Sequence, residues 1–447
     1  MSIDQSVTGM PEGVSGSMPL TTKAIMIGVL AVVLAVPLFL IYSTVAERQQ
    51  RYSEAVREIG NVWGLPQQIG GPRLVIPYAP DDKSPSSAWR NGVTLLPDSL
   101  RIDATVVPET RYRGLFEAVV YVLDVEMAGE FVVPAFDDLA TRGRLDWPAA
   151  SLRLNVSDAR NLIVAPGDAQ LGGRSLNLEP AGPSGNYSAQ LKAEAGPDLA
   201  PGTRVPFRFK LRLNGSEGLS FLPLGKNTTI DVKAPWSSPS FFGAFLPADR
   251  SIDGKTFDAR WQVSYLGRGF PQYWTVDNDN GVQEAITRAS FGVNFLQTVS
   301  PYRETERAIK YGILFVALTF VIYLLFEIAS GQPIHLLQYG AVGLAMCVFY
   351  LLLLSLSEQL GFGAAYAISA AAVVGQTSAY TYATTRRMRY ALTFGALLGG
   401  LYAFLYVLMQ MESYSLMSGS VALFLALSAL MYLTRNLNRQ GLPSARA

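Results

Sequence analysis

Long apolar runs divide this chain into two unequal parts. One run lies near the N-terminus, and five more follow in the C-terminal third, at about 23–45, 309–329, 335–355, 363–384, 390–410 and 415–434. A helix needs about 20 apolar residues to cross the hydrocarbon core of a bilayer, and each run reaches that length. Because backbone groups in lipid must bond internally, each run is predicted to be a transmembrane helix. The pattern predicts six spans, with a large polar segment between the first and the second.

The ends of these runs define the predicted domains. They are an N-terminal tail at 1–22, a first transmembrane helix at 23–45, an inserted domain at 46–307, a five-helix transmembrane bundle at 308–434 and a C-terminal tail at 435–447. The first run is too long for the apolar region of a signal peptide, so it is predicted to be a retained anchor. The polar segment 47–60 favours helix and is expected to continue it beyond the membrane.

Positive charges in the short loops predict the orientation. The loop 384–389 carries three arginines, the tail 435–447 carries three more, and the loop 411–413 carries no Lys or Arg. Only Lys23 precedes the first run, so the predicted orientation depends on the charges of the later loops. By the positive-inside rule both termini are expected in the cytoplasm of a bacterium, with 46–307 in the periplasm.

The inserted domain has the pattern of a β structure. The segment 207–213 alternates strictly between apolar and basic residues, which predicts a half-buried strand, and Asn214-Gly215 predicts a turn after it. The segments 111–123 and 228–233 also favour strands. Several short strands with regular Pro and Gly punctuation predict a mostly antiparallel, sandwich-like β domain.

Composition narrows the chemistry. Apolar residues make up 49% of the chain and charged residues 16%, and the net charge of +1 gives no electrostatic case for nucleic acid. Cys347 and His335 are the only residues of their types, and both lie in the predicted membrane region. The inserted domain therefore cannot use Ser-His-Asp, Cys-His or His-ligated zinc chemistry. We expect no enzymatic activity, no metal and no cofactor.

Two motifs in the inserted domain invite ligand-binding interpretations. Gly254-Lys255-Thr256 resembles the end of a phosphate-binding loop, but Asp249 occupies the position where that loop needs glycine, so a turn is favoured. The run Asp277–Gly281 suggests calcium, yet Val282 and Arg288 replace the glycine and glutamate of an EF-hand loop. A polar surface turn is favoured there, and an irregular calcium site stays open.

Four polar residues lie in or beside the predicted spans. Glu327 and His335 flank the turn between the second and third spans, Glu358 ends the third, and Gln376 lies in the middle of the fourth. We expect Glu327 and His335 to cap and pair across their turn, and proton or ligand handling is the alternative. For Gln376 we expect an interhelical hydrogen bond.

Three further charged residues lie where the inserted domain meets the second span. Glu306, Arg307 and Lys310 either anchor the chain to lipid headgroups or form a hinge between domain and bundle. Both interpretations use the same residues, so the pattern leaves them open.

Short motifs along nearly the whole chain carry a family resemblance. In the inserted domain they are Trp63-Gly64, Gln68–Pro72, Leu74–Pro77, Arg111–Gly114, Phe221–Gly225, Pro239–Phe241 and Arg268–Gln272. Towards and beyond its end they include Ser290–Val293, Tyr302, Glu306-Arg307, Lys310–Gly312, Phe326-Glu327, Pro333–His335, Gln338-Tyr339 and Leu354–Glu358. In order and topology the chain resembles the CreD family of bacterial inner-membrane proteins. The resemblance implies a role in cell-envelope integrity and a two-component stress response, and it supplies no molecular activity.

Two classes of function follow from this layout. The first is a non-enzymatic envelope protein whose outer domain binds or senses an envelope component. The alternative is a transporter or a lipid- or peptide-handling protein that uses the C-terminal bundle, although this bundle lacks the mid-membrane charges common in transporters. The expected partners are the lipid bilayer, envelope components or other inner-membrane proteins, and no nucleic acid.

Overall fold

A computed structural model describes most of the chain. The described residues are 20–80, 91–140, 143–181, 189–196, 199–275, 279–295, 301–330, 334–410, 420, 421, 424, 428 and 431. The chain forms two compact units, which we call the helical unit (Met1–Arg51 with Val299–Ala447) and the β unit (Tyr52–Thr298).

The long helices of the described residues lie towards the two ends of the chain, and three short ones lie among the strands. They are α1 (Leu20–Trp63), α2 (Asp137–Ala140), α3 (Tyr265–Arg268), α4 (Asp279–Arg288), α5 (Pro301–Lys310), α6 (Gly312–Ser330), α7 (Leu336–Leu360), α8 (Phe362–Thr385) and α9 (Met388–Gln410).

The strands lie between α1 and α5. They are β1 (Gln67–Gly70), β2 (Arg73–Pro80), β3 (Asn91–Leu95), β4 (Ser99–Arg113), β5 (Phe116–Val132), β6 (Gly143–Leu145), β7 (Ser151–Val156), β8 (Ala169–Leu171), β9 (Arg174–Ser175), β10 (Glu179–Pro180), β11 (Ala189–Glu194), β12 (Arg204–Ser216), β13 (Gly218–Leu222), β14 (Asn227–Ala234), β15 (Ser240–Gly243), β16 (Asp249–Ile252), β17 (Phe257–Ser264), β18 (Tyr273–Thr275) and β19 (Phe291–Asn294).

Helix α1 is continuous over 44 residues and contains Pro37. The predicted extension of the first apolar run through 47–60 is therefore confirmed. An exposed ion pair one turn apart, Arg51 Nη2 to Glu47 Oε1 at 2.5 Å, supports this polar half. The helix thus combines an apolar first half with a polar second half.

Several helices of the helical unit are long and apolar enough to cross a membrane. Among the described residues these are Thr21–Trp63, Leu336–Leu360 and Met388–Met409, with a fourth if the pair Tyr302–Lys310 and Gly312–Ile328, bent by 48°, counts as one span. Helix α8 matches the predicted run 363–384 in position but is not among them, because Gly, Ser, Thr and Gln dilute its apolar residues. The predicted run 415–434 lies almost wholly outside the described residues, so the number six stays a prediction.

Aromatic side chains form the interior of the helical unit. The ring of Phe349 on α7 lies 4.7 Å from Tyr402 on α9 and 5.3 Å from Tyr366 on α8, measured between centroids. Phe315 on α6 lies 4.9 Å from Tyr402. Four helices therefore meet at one aromatic cluster.

Two sheets build the β unit. The eleven-stranded sheet has the order β15-β19-β13-β1-β7-β2-β3-β18, with β6 beside β2 and with β11 and then β10 beside β7. The eight-stranded sheet has the order β16-β17-β14-β4-β5-β12-β8-β9. Only β1–β13 and β4–β14 pair in parallel among the described pairs. Residues of both sheets, such as Phe221 and Trp261, share one hydrophobic core, so the mostly antiparallel two-sheet prediction is confirmed.

Strand β12 shows the predicted alternation of buried and exposed side chains. The turn predicted at Asn214-Gly215 is wrong, because β12 stays paired with β5 through Ser216 and the chain reverses at Glu217, which has φ of 59°. Gly215 has a packing role instead: a Cβ there would lie 2.4 Å from the ring of Tyr121.

The exposed face of β12 carries basic residues that pair with acids on β5. Arg212 Nε donates to Asp124 Oδ1 at 2.7 Å, and Arg204 Nη1 lies 2.8 Å from Glu130 Oε1. Arg208 Nε donates to Glu126 at 2.6 Å. We call these three ion pairs the charge ladder of the eight-stranded sheet.

Three local predictions meet different outcomes. The run 111–116 contains the β4–β5 hairpin turn at Gly114, so it is not one strand. The turn at Gly254–Thr256 is confirmed, since Asp253 Oδ1 accepts from the N–H groups of Lys255 at 3.0 Å and Thr256 at 2.6 Å. The surface turn predicted at Asp277–Gly281 is wrong from Asp279 onward, where α4 begins; 277 and 278 lie outside the described residues.

Candidate functional site

A buried ion pair links α1, α6 and α7, and we call it the Lys23 cluster. The Nζ of Lys23 pairs with Glu327 Oε1 and donates to the carbonyl of Ile334 at 2.5 Å. Glu327 also accepts from the N–H of Ile334 at 3.1 Å and from the hydroxyl of Tyr339 at 2.9 Å. The Lys23 and Glu327 side chains are only 14% and 13% exposed. Among the described residues, Glu327 thus contacts one charged partner and two neutral donors.

The partner predicted for Glu327 was wrong. The cation at Glu327 is Lys23, while His335 is exposed and its Nδ1 accepts from the N–H of Leu337 at 3.3 Å, which caps α7. The capping role expected for His335 is confirmed. Lys23 was visible in the sequence only as a flanking charge, because its contact with Glu327 bridges 304 positions.

A second polar cluster joins α1 to α5 and α7, and we call it the Glu358 cluster. Glu358 Oε1 accepts from the hydroxyl of Tyr302 at 3.1 Å and lies 3.8 Å from Arg48 Nη1. Glu306 on α5 belongs to a neighbouring contact. It accepts from the hydroxyl of Tyr42 at 3.3 Å and pairs with Lys310 at 2.8 Å.

The remaining predicted residues of the helical unit have surface positions. Arg307 and Lys310 are exposed on α5. Gln376 is exposed on α8, and no interhelical hydrogen bond to it is seen among the described residues. Its neighbour Thr377 is buried and donates to Val373 of its own helix at 2.7 Å. Among the described residues, the polar contacts between helices that involve predicted residues therefore lie in the Lys23 cluster, the Glu358 cluster and the bond from Tyr42 to Glu306.

In the β unit, a buried network of hydrogen bonds surrounds Tyr121. Its hydroxyl donates to the carbonyl of Gly218 at 2.7 Å and accepts from the N–H of Gln67 at 3.3 Å. Gln67 Nε2 donates onward to the carbonyls of Asp158 at 3.0 Å and Asn214 at 2.8 Å. Burial raises the pKa of Tyr121, so this hydroxyl keeps its proton and acts as a fixed structural donor.

Side chains after β7 hold the end of α1. Arg160 donates to the carbonyl of Asn61, and Asn161 Nδ2 donates to that of Trp63 at 2.7 Å. These bonds satisfy carbonyls that a helix end leaves without partners. Burial alone would raise the pKa of Asp158, but hydrogen bonds from Arg160 and from the N–H of Leu65 outweigh it and lower that pKa.

Arg268 is a buried guanidinium that binds main-chain oxygens. Its Nη1 donates to the carbonyls of Leu224 at 2.6 Å and Gly225 at 2.8 Å, and its Nη2 donates to Gln272 Oε1 at 2.6 Å. Gln272 in turn donates to the carbonyl of Leu96 at 2.8 Å. Burial lowers the pKa of Arg268 to about 10, so the group stays charged at neutral pH. Its role is to fix two loops, not to exchange a proton.

The motifs behind the family resemblance converge in the β unit. Arg268–Gln272 contacts Phe221–Gly225 through the bonds just described. Strands β1, β19 and β15 carry parts of three further motifs, and together with β13 they are consecutive in the order of the eleven-stranded sheet. The shared residues thus specify how the domain packs. No group of three or more His, Cys, Asp or Glu residues that could hold a metal is found among the described residues.

Together these features define a protein with a two-sheet domain inserted between helices of membrane-spanning length. The chain belongs to the CreD family: the family model described as inner membrane protein CreD matches residues 19–440. The inner membrane protein CreD of Escherichia coli strain K12 is 29% identical over 414 residues, which covers 91% of this chain and 90% of that protein.

Solved structures add no further argument. A mutant M1 zinc metallopeptidase from Deinococcus radiodurans is 11% identical, with a TM-score of 0.19, and the match covers 38% of each chain. Another structure of an M1 zinc metallopeptidase from the same organism is 9% identical, with a TM-score of 0.21, over 73% of this chain and 93% of that one. At these scores the likeness carries nothing about fold or chemistry.

Proposed function

We propose that this protein contributes to cell-envelope integrity or to an envelope-stress response without being an enzyme. In this proposal the β unit binds or senses an envelope component, and the helical unit anchors it and relays its state. Membership of a family of inner-membrane proteins supports a location in the inner membrane. The observation that carries the relay is that one continuous helix, α1, takes part in the contacts of both units.

The contacts of α1 are specific in each unit. In the helical unit its Lys23 pairs with Glu327, and its Arg48 lies beside Glu358. In the β unit Glu58 pairs with Arg113 at 2.8 Å, and Trp63 Nε1 donates to the carbonyl of Tyr121 at 3.3 Å. In the proposal, a displacement of one end of this helix is passed along its axis to the other. A ligand that favours one arrangement of the β unit would then bias the contacts of α1 elsewhere.

The topology of the proposal has its own test. We expect six spans, both termini in the cytoplasm and 46–307 in the periplasm, because the arginines of the 384–389 loop and of the tail mark the inner side. Alkaline phosphatase fused after Ala200 should be active, and the same reporter fused after Ala447 should be inactive. A reporter active only in the cytoplasm should give the opposite pattern. Alkaline phosphatase activity at Ala447 alone would reverse the topology.

Deletion and rescue test the function and the role of α1 together. A deletion strain should become sensitive to detergents or cell-wall antibiotics, and the intact gene should restore resistance. Ala46 is exposed within α1, so Ala46→Pro should kink the helix with little loss of packing, while Ala46→Ser keeps the helix. At equal abundance, we expect Ala46→Ser to rescue and Ala46→Pro to fail.

The possible outcomes separate the alternatives. Full rescue by Ala46→Pro would remove α1 from the mechanism while leaving the envelope role intact. Normal envelope permeability in the deletion strain, with a specific uptake defect, would favour the transporter or lipid- and peptide-handling function. Rescue by a variant with the five C-terminal spans replaced by a single anchor would confine the function to the β unit.

A further inference from the structure

Three buried hydroxyl groups lie in the helical unit, two of them on tyrosines of its aromatic cluster. They belong to Tyr350 on α7, Ser369 on α8 and Tyr402 on α9, whose residues are 0%, 0% and 2% exposed. None of the three oxygens has a hydrogen-bond partner among the described residues. Buried polar groups in folded proteins nearly always have a partner, so three in one region need a physical explanation.

The rings of Tyr350 and Tyr402 pack against the same phenylalanine. The ring of Phe349 contacts Tyr350 at 5.0 Å and Tyr402 at 4.7 Å, between centroids. The ring of Tyr366 joins the same group, 5.3 Å from Phe349 and 6.5 Å from Tyr402 between centroids. Ser369 follows Tyr366 by three residues, which places both on one face of α8.

Their surroundings supply few protein acceptors. The hydroxyl of Tyr366 donates its hydrogen to the carbonyl of Tyr402 at 2.7 Å. Helix backbone bonds occupy most nearby carbonyls, and the neighbouring rings of Phe315 and Phe349 are apolar. A hydroxyl in such a place is satisfied by a small ligand that both donates and accepts.

We propose that Tyr350, Ser369 and Tyr402 form an internal binding site for ordered water in the middle of the helical unit. Buried waters typically make about three hydrogen bonds to polar groups that lack protein partners. The three hydroxyls match this number of partners. Water-bridged hydroxyls would connect α7, α8 and α9 by directional bonds. Packing of apolar side chains against lipid supplies no such bonds. This site is independent of the proposed envelope function.

Tyrosine-to-phenylalanine variants of the full chain in detergent test the site. If water bridges these hydroxyls, Tyr350→Phe and Tyr402→Phe should each lower the melting temperature, by about 2–4 °C. Tyr382 on α8 is 47% exposed, so Tyr382→Phe is the matched control and should change little. An unchanged or higher melting temperature for both buried variants would overturn the proposal, because removing an unsatisfied hydroxyl from a dry core stabilises it.

The double variant tests whether the site is shared. Two hydroxyls that hold the same water network should couple, so Tyr350→Phe/Tyr402→Phe should lower the melting temperature by less than the sum of the single changes. Purely additive losses would mean separate contacts and would overturn a common site. None of these measurements uses the envelope phenotype. The proposed function could therefore be disproved while the water site stands, and the water site could be disproved while the proposed function stands.

Discussion

Lys23→Met is expected to lower the apparent free energy of unfolding in detergent by about 3 kcal/mol, the lower end for breaking a buried ion pair. Methionine keeps the length of the lysine stem but removes the positive charge beside the Glu327 carboxylate, whose neutral donors include Tyr339 and the N–H of Ile334. The loss should exceed that of an ordinary surface pair because both side chains are nearly buried. Denaturant titration of the purified full chain would measure it.

Two further variants control this measurement. Arg51→Met breaks the exposed pair with Glu47, whose side chains are 58% and 60% exposed, and should cost less than about 1 kcal/mol. Adding Glu327→Gln to Lys23→Met removes the uncompensated charge and should recover part of the loss. If Lys23→Met costs no more than Arg51→Met, the Lys23 cluster does not hold α1 in the helical unit.

Gly292→Ala is expected to prevent the β unit from folding, with a cost above about 4 kcal/mol. Gly292 lies in β19, and a Cβ there would lie 2.1 Å from the carbonyl oxygen of Leu219 and 2.7 Å from the Cα of Ser220, both in β13. Backbone atoms cannot rotate away as a side chain can, so the two strands would have to separate. Circular dichroism and protease resistance of the full chain would report the loss.

Gly281→Ala is the matched control for this substitution. Gly281 lies in α4, and a Cβ there would meet nothing within 4 Å. Because alanine favours helix, this change should raise stability by about 0.5–1 kcal/mol. Normal β structure and stability in Gly292→Ala would show that β13 and β19 do not approach as closely as described.

Patterns of local origin were the most predictable parts of this fold. The alternation at 207–213 correctly predicted the buried face of β12. The polar, helix-favouring segment 47–60 correctly predicted the extension of α1. Both depend on neighbours along the chain, which the sequence shows directly. The family resemblance was likewise recoverable from motifs in order, and the family match confirms it.

The errors involve partners far apart in sequence. Asn214-Gly215 has the composition of a turn, but Gly215 is small because Tyr121 lies against it, 94 positions away. His335 is the basic residue nearest to Glu327 in sequence, whereas in the fold Glu327 pairs with Lys23. The sequence showed Gly292 only as one residue of a motif. The structure shows that a glycine is needed there because the backbone of β13 lies against it. The sequence shows that these residues are present, but their contacts depend on tertiary packing.

The charge ladder of the eight-stranded sheet also affects how this face acts at a distance. Arg204, Arg208 and Arg212 each lie beside an acid of β5, so the face presents closely spaced dipoles. The potential of a dipole decays faster with distance than that of a single charge, and at physiological ionic strength screening acts within about 8 Å. These three pairs should therefore add little to the long-range field of this face, and their contribution should change little with salt.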